Sequence, residues 1–77
     1  MNAKEMFEKL DWVFDREDEG TIVYRQNAYR LMMYKRIYEF KVFYTDSNNA
    51  EHSGFIDMPL ILAIHKQMKE LGWIDEN

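Results

Sequence analysis

In the sequence YRLMMYKRIYEFKVFY, residues 29–44, large apolar side chains recur at every second position along two successive segments. Leu31 and Met33 are two apart in the first segment, and Phe40 and Val42 are two apart in the second. A period of two is the repeat of a β-strand, whose successive side chains point to opposite faces of a sheet. The pattern therefore predicts two antiparallel strands joined by a turn.

Further segments extend this pair of strands into a meander. Residues 21–26 are β-branched and aromatic, which favours a strand. Residues 12–15 and 55–56 are interpreted as two more short strands, so we expect three to five strands in all. The turn at Lys35 and Arg36 lacks the Asn-Gly or Asp-Gly pair of a tight hairpin, which leaves the register of the two strands around it open.

The N-terminal segment has the pattern of a short helix, because its apolar side chains recur at i, i+3, i+4 and i+7. Asn2 stands at the N-cap with Glu5 three residues later, which is the arrangement of a capping box. We expect the helix to end at Asp11 in the left-handed conformation, with Trp12 folding back on its last turn. The apolar positions are Ala3, Met6, Phe7 and Leu10.

A second helix is predicted near the C-terminus. Asp57 stands at its N-cap, and Pro59 lies in its first turn, where the missing amide hydrogen costs little. Gly72 is expected to end the helix in the left-handed conformation, and Trp73 to return to its last turn. The apolar stripe, which spans about 100° of arc, consists of Leu60, Ile61, Ile64, Met68 and Leu71.

Together these elements predict a single α+β domain over residues 1–77. An N-terminal helix, an antiparallel meander of three to five strands and a C-terminal helix follow one another, with both helices on one face of the sheet. Phe40 and Ile64 are expected in the core between the layers. Tyr38 is expected on the same face as Phe40, which leaves the other face of the sheet without a helix.

The composition narrows the classes of function. The chain has 10 Lys and Arg against 14 Asp and Glu, and its net charge of −4 disfavours a protein whose affinity rests on neutralising phosphates. The absence of cysteine removes disulfides, thiolate metal sites and a cysteine nucleophile. No apolar run approaches the ~18 residues of a membrane span, and the N-terminus lacks the apolar region of a secretory signal. We therefore expect a cytoplasmic protein.

Several polar motifs are interpreted as structural elements and not as chemical sites. His52 and Ser53 stand near Asp46, but a catalytic triad is defined by geometry and not by closeness in sequence. The turn-forming residues around them indicate a plain loop. This segment also lacks the ligands of a calcium-binding loop. His65 has no metal ligand one helical turn later, and the acids at 17–19 are typical of a solvated turn. We predict no enzyme, and we assign no catalytic, cofactor-binding or metal-binding residue.

Positive charge is concentrated in the middle of the chain. The net charge is −4 over residues 1–20, +4 over residues 21–41 and −4 over residues 42–77. By the strand alternation, the sheet face without helices is basic, aromatic and rich in methionine, with an exposed apolar patch. Its predicted partner-binding residues are Arg25, Arg30, Met32, Tyr34, Lys41 and Phe43, with Val23 and Ile37 beside them.

Three interpretations of this face stay open. It is a solvated face covered by long Arg and Lys stems, a protein interface that includes the case of a homodimer, or a platform for single-stranded nucleic acid. Protein binding is the predicted function. Nucleic-acid binding is the alternative, and it ranks second because the overall acidity of the chain argues against it. Nothing in the sequence indicates a small-molecule ligand or a membrane contact.

A resemblance to a known group is carried by residues 3–10 (AKEMFEKL), with the aromatic residue that follows, and by residues 63–73 (AIHKQMKELGW). They look like the two ends of small uncharacterised proteins borne by phages and prophages of low-GC Gram-positive bacteria. Those proteins usually have Gly where this chain has Asp11. The shared residues are helix faces and caps, so the resemblance implies an accessory role for a phage in a bacterial host and no catalytic residue.

Overall fold

The computed structural model describes residues 1–75. Glu76, which is part of the acidic segment 42–77, lies outside the described residues. The elements are α1 (Ala3–Lys9), β1 (Val13–Glu17), β2 (Thr21–Gln26), β3 (Tyr29–Tyr34), β4 (Glu39–Thr45), β5 (Glu51–Ser53) and α2 (Met58–Glu70).

The five strands form one sheet in the order β1-β2-β3-β4-β5, and every neighbouring pair is antiparallel. The predicted α+β fold is confirmed. The last strand is Glu51–Ser53 and not the predicted segment 55–56. The chain leaves the sheet at Gly54, whose N–H donates to the Val42 carbonyl over 2.7 Å. A Cβ at this position would lie 2.7 Å from a Val42 methyl carbon, so only glycine permits the close crossing.

The β3–β4 hairpin settles the register that the sequence left open. Leu31 pairs with Val42 and Met33 pairs with Phe40, so all four side chains lie on one face. The prediction for Tyr38 is wrong: it lies in the turn with φ 56°, 69% exposed, where its ring meets the Trp73 ring edge-on. The alternation stops one residue before β4 because the turn requires a left-handed residue there.

Ile37 also lies in this turn and not on the sheet face beside the predicted partner-binding residues. Its side chain is 59% exposed. The two apolar residues of the turn therefore belong to neither face of the sheet, because the pairing of β3 with β4 resumes only at Glu39.

The predicted helix starts are confirmed. The Asn2 side-chain oxygen accepts from the Glu5 N–H at 2.8 Å, while the Asn2 N–H donates to the Glu5 carboxylate at 3.1 Å. At α2, the Asp57 carboxylate accepts from the Leu60 N–H at 3.0 Å, with proline in the first turn. Each cap satisfies backbone donors that have no partner inside the helix.

Both helices end in the same way, as the sequence predicts. Asp11 (φ 65°) and Gly72 (φ 78°) are left-handed, and each is followed by a tryptophan whose N–H reaches back into the last turn. The Trp12 N–H donates to the Phe7 carbonyl at 3.0 Å, and the Trp73 N–H donates to the Met68 carbonyl at 2.9 Å. These bonds and the accompanying bonds at Asp11 and Gly72 define the Schellman motif.

The core lies between the sheet and the two helices, which share one face as predicted. Tyr24 of β2 is its centre, since the Phe7 ring of α1 stacks on it with centroids 3.9 Å apart and its hydroxyl donates to the Gln67 side-chain oxygen of α2 at 2.7 Å. Burial raises the pKa of Tyr24. The wholly buried set is Ala3, Phe7, Leu31, Met33, Ala63 and Ile64. Ile64 is core as predicted, whereas Phe40 is half-buried at the margin.

Replacing Asp11 by glycine should stabilise the fold. A non-glycine residue at φ 65° is strained, and the exposed Asp11 side chain has no hydrogen-bond partner within residues 1–75 that would be lost. We expect a gain of about 0.5–1 kcal/mol, net of the extra freedom of the unfolded chain. The measurement is the urea midpoint, with Asp15→Gly as the control, because Asp15 is exposed and does not have positive φ. Asp15→Gly should lower the midpoint, and an unchanged or lower midpoint for Asp11→Gly would contradict the strain argument.

Truncating Ile64 should remove much of the stability. Ile64 is wholly buried, and Ile64→Ala should cost about 2–5 kcal/mol, out of a total on the order of 5–15 kcal/mol for a native domain. Phe40→Ala should cost less than a fully buried phenylalanine does, because part of the ring is already in water. Ile37→Ala, the same change at an exposed site, should stay within about 0.5 kcal/mol. Equal losses at Ile64 and Ile37 in chemical denaturation would place Ile64 outside the core.

Candidate functional site

The sheet face opposite the helices, called the outer face below, brings all six predicted partner-binding residues together. Strand pairing places Arg25 directly opposite Arg30, Arg30 opposite Phe43, and Met32 opposite Lys41. Directly paired residues project from the same face of a sheet. By this rule the outer face consists of Val13, Arg16, Thr21, Val23, Arg25, Arg30, Met32, Tyr34, Glu39, Lys41, Phe43, Thr45, Glu51 and Ser53.

Two arginines of the outer face, Arg25 and Arg30, have no acidic partner within residues 1–75, whereas the charge of Arg16 acts on the Asp18 carboxylate and helps to lower its pKa. Arg25 and Arg30 face each other across β2 and β3, an arrangement that destabilises a sheet when nothing offsets the like charges. Arg30 donates through Nη1 to the carbonyls of Asn27 and Tyr29, both at 2.9 Å, and not to a carboxylate. Within residues 1–75, no ion pair involves Arg25, Arg30 or Arg16. The face therefore has uncompensated positive charge.

Arg16 belongs to this face only because of a β-bulge. The pairing of β1 with β2 shifts between Phe14 and Arg16, so that Arg16 pairs with Val23. Strict alternation would have placed Arg16 on the helix side with Phe14, and the bulge turns it to the outer face. The sequence analysis did not place Arg16 on this face, because no local residue type marks the bulge.

On the outer face, Lys41 contacts both Phe43 and Glu51. The Lys41 ammonium lies 4.6 Å from the centre of the Phe43 ring and donates to the Glu51 carboxylate at 2.9 Å. The hydrogen bond to Glu51 is the main reason why the pKa of Lys41 is raised. The Lys41 charge is thus largely balanced inside the molecule, and one side of the Phe43 ring is covered.

The apolar centre of the outer face is packed more closely than the sequence suggests. Val23 is only 2% exposed, and Met32, Tyr34 and Phe43 are half-buried. The Tyr34 hydroxyl donates to the Met32 sulfur at 3.6 Å. The prediction of an exposed apolar patch here is therefore wrong. Long neighbouring side chains fold over the small ones, because five strands give each central residue neighbours on both sides.

The β4–β5 loop does bring a histidine and an aspartate together. The His52 ring Nε2 lies 2.7 Å from an Asp46 carboxylate oxygen, and the ring stacks on Tyr44 with centroids 4.9 Å apart. Ser53 projects from the opposite face of the sheet, where it pairs with Phe43, so it does not meet His52. The other Asp46 oxygen accepts from two backbone N–H groups of the turn, at 2.8 and 3.0 Å. The pair stabilises the loop and holds no nucleophile.

The acids of the β1–β2 turn are each held by a partner. Asp18 accepts from the N–H groups of Gly20 and Thr21 at 2.8 Å, which lowers its pKa. Glu17 pairs with Lys35 at 2.6 Å. Glu19 forms a longer pair of 3.7 Å with Arg36, in the same β3–β4 turn. His65 is exposed on α2. Among the described residues, no cluster of three His, Cys, Asp or Glu side chains could hold a metal ion.

An exposed apolar surface lies on the helix side, where sequence reasoning did not expect one. Phe55 is 90% exposed, and Ile56, Met58 and Leu62 are 43–68% exposed. We interpreted residues 55–56 as a strand, and such a strand would have one covered face. The missed signal is the pair Phe55 and Ile56, which is followed across Asp57 by Met58 in the first turn of α2.

The chain matches no protein-family model, no curated protein and no solved structure. Neither helix of residues 1–75 has the length and apolarity needed to cross a bilayer.

Removing the His52 ring should raise the pKa of Asp46. The hydrogen bond from His52 is the first cause that holds this pKa below its ordinary value, ahead of the N–H groups of Ala50 and Asn48. A lowered folded-state pKa stabilises the fold above the unfolded pKa, and this stabilisation is lost as the pH falls through the folded pKa. His52→Ala should therefore move the Asp46 carboxyl titration, measured by NMR, to higher pH and shrink the loss of loop stability on acidification.

Asp18 provides the internal control in the same spectra. Its pKa is lowered mainly by backbone N–H groups, and none of the causes is His52. Its titration should stay in place in His52→Ala. An Asp46 titration that also stays in place would show that the backbone N–H groups alone hold the carboxylate.

Proposed function

We propose that this protein is a non-enzymatic binding module whose outer face binds an acidic surface of another protein. The proposal rests on one observation, the two arginines of that face, Arg25 and Arg30, that have no acidic partner within residues 1–75. Arg25 and Arg30 are held opposite each other by strand pairing, so their mutual repulsion persists in the free protein. A carboxylate from a partner would relieve it and form charge-assisted hydrogen bonds.

The chemistry of the face fits a protein better than a nucleic acid. Binding to single strands uses aromatic rings that are free to stack on bases. Phe43 is covered by the Lys41 ammonium, and Tyr34 is half-buried against Met32. The net charge of −4 also opposes a phosphate backbone. Arginine, methionine and tyrosine together are the residues that protein interfaces favour.

A second copy is a poor occupant of the outer face. A two-fold contact joins one patch to the same patch of the partner. Here that contact would bring one arginine cluster towards another, with Glu51 already bound to Lys41. A surface of opposite charge is the better match, since complementary charge speeds encounter and fixes orientation.

The cellular setting is part of the same proposal. The resemblance of both helix segments to small phage and prophage proteins supports an accessory role in a bacterial host. The lack of cysteine suits a reducing cytoplasm. No cofactor is needed for recognition of this kind.

Loss of one unpaired arginine should weaken the interaction more than loss of a paired one. The probe is a glutamate-rich peptide with interspersed tyrosines, titrated into isotope-labelled protein and followed by NMR. Arg25→Ala should weaken binding by about ten- to a hundredfold, the loss expected for one charge-assisted hydrogen bond of about 1.5–3 kcal/mol. Arg36→Ala removes the same charge from a turn where Arg36 contacts Glu19 at 3.7 Å, and it should have little effect.

Two further measurements separate the alternatives. Tyr34→Ala combined with Phe43→Ala should weaken peptide binding and should lower the unfolding midpoint less than Ile64→Ala does, since both rings are half-buried and lie outside the core between the layers. An oligothymidine of equal charge should bind more weakly than the peptide. Tighter oligothymidine binding with a steep salt dependence would assign the face to nucleic acid, and equal effects of Arg25→Ala and Arg36→Ala would show that only net charge matters.

A further inference from the structure

The exposed apolar surface on the helix side contains both a projecting ring and a hollow. Phe55 is 90% exposed, the highest exposure among the large apolar side chains of the described residues. Beside it lies a cavity of about 340 Å³, called the socket below. The socket is lined by Leu10, Trp12, Gln26, Tyr29, Pro59 and Leu60, with Phe55 and Asp57 at its edge.

The socket suits an aromatic side chain. Six of its eight lining residues are apolar or aromatic, and one oxygen of the Asp57 carboxylate accepts from the Leu60 N–H. The Gln26 amide nitrogen donates to the Leu10 carbonyl at 2.8 Å. An apolar ring entering the socket would therefore displace water from apolar and aromatic walls while these two hydrogen bonds stay in place.

Phe55 is held at the edge of its own socket and does not fill it. The chain crosses Val42 and Tyr29 at Gly54, where a Cβ would lie within 2.7 Å of Val42, and the N–H of this glycine is bonded to the Val42 carbonyl. This anchor fixes the residue before Phe55, and the Asp57 cap fixes the residue two places after it. A short, tethered loop therefore presents the ring outward.

We propose that a second copy of this chain occupies the socket, with each copy inserting Phe55 into the socket of the other. A two-fold contact is self-complementary when projection and hollow lie on the same patch, so one axis near the socket edge satisfies both insertions. An aromatic anchor buried in a pocket is the arrangement that carries most of the affinity in protein interfaces. Ile56, Met58 and Leu62 extend the contact around the two rings.

The outer face remains free in this dimer. The socket is built from helix ends and from residues on the helix side of the sheet, and none of its lining residues belongs to the outer face. A dimer would carry two basic faces, which gives avidity towards a partner with repeated acidic segments. Dimerisation through Phe55 does not depend on the proposed function of those faces.

Sedimentation equilibrium over a range of concentrations tests the proposal. The wild-type chain should pass from 9.4 kDa to twice that mass. The dissociation constant should be on the order of 100 µM, because four side chains supply only part of the ~800 Å² per partner of a stable interface. Phe55→Ala should weaken the dimer about tenfold or more, with an unchanged unfolding midpoint.

Two variants control for unfolding and for general stickiness. Met58→Glu places an acid in the first turn of α2, which suits the helix dipole, so the monomer should stay folded while like charges oppose the dimer. Ile37→Ala removes another exposed apolar side chain, 59% exposed, at the β3–β4 turn and should leave the dimer intact. Loss of the dimer in Ile37→Ala would overturn the proposal, as would an intact dimer in Phe55→Ala.

A mixed sample of labelled and unlabelled chains identifies the contact. Contacts between the Phe55 ring of one copy and the Trp12 ring of the other should appear in isotope-filtered NMR spectra. Added salt should leave the dimer unchanged or stronger, because it screens the net charge of −4 on each copy. A wild-type chain that stays at 9.4 kDa up to about 1 mM, or a dimer that dissociates in salt, would overturn the proposal.

Discussion

Tyr24 is the residue on which the rest of the structure depends. Its ring stacks on Phe7 of α1, and its hydroxyl bonds to Gln67 of α2, so one side chain from the second strand holds both helices. Gln67 is the buried polar residue of the described chain, and its oxygen would lack a partner without this hydroxyl. Because an unpaired buried acceptor costs more than a hydrogen bond contributes, the pair also fixes the position of α2 along the sheet.

A second link joins the helices at their ends. The Ala3 N–H, at the start of α1, donates to the Glu70 carboxylate at the end of α2 over 2.7 Å. This places a negative charge at the positive end of the α1 dipole. The contact joins the start of α1 to the end of α2, and it helps to explain how a seven-residue helix is stable. Such a helix is marginal by its own propensity and needs tertiary contacts.

Local chemistry determined how much of this fold the sequence could predict. Caps and strand alternation depend on residues within a few positions of each other, so the ends at Asp11 and Gly72 and the order of elements were predictable. The bulge that turns Arg16 and the left-handed Tyr38 depend on pairing and turn geometry, which no nearby residue type reveals. The failures therefore fall where the backbone departs from a regular repeat.

The same distinction applies to the candidate site. Alternation correctly placed Arg25, Arg30, Met32, Tyr34, Lys41 and Phe43 on one face, since it needs only the parity of each position. Strand alternation could not predict that Lys41 forms a salt bridge with Glu51, because Glu51 belongs to another strand, ten residues further along the chain. Nor could it find the socket, whose walls come from both helices and the sheet. Contacts between distant segments decide which of these side chains remain available.

The open sheet also constrains where a partner can bind. Edge strands invite pairing with other chains unless bulges, charge or short length prevent it. At one edge, β1 is bulged and carries charged residues at its end. At the other edge, β5 is three residues long, and the chain turns away at Gly54. With both edges protected in this way, the contacts proposed above fall on the two broad surfaces, at the arginines of the outer face and at the ring of Phe55 on the helix side.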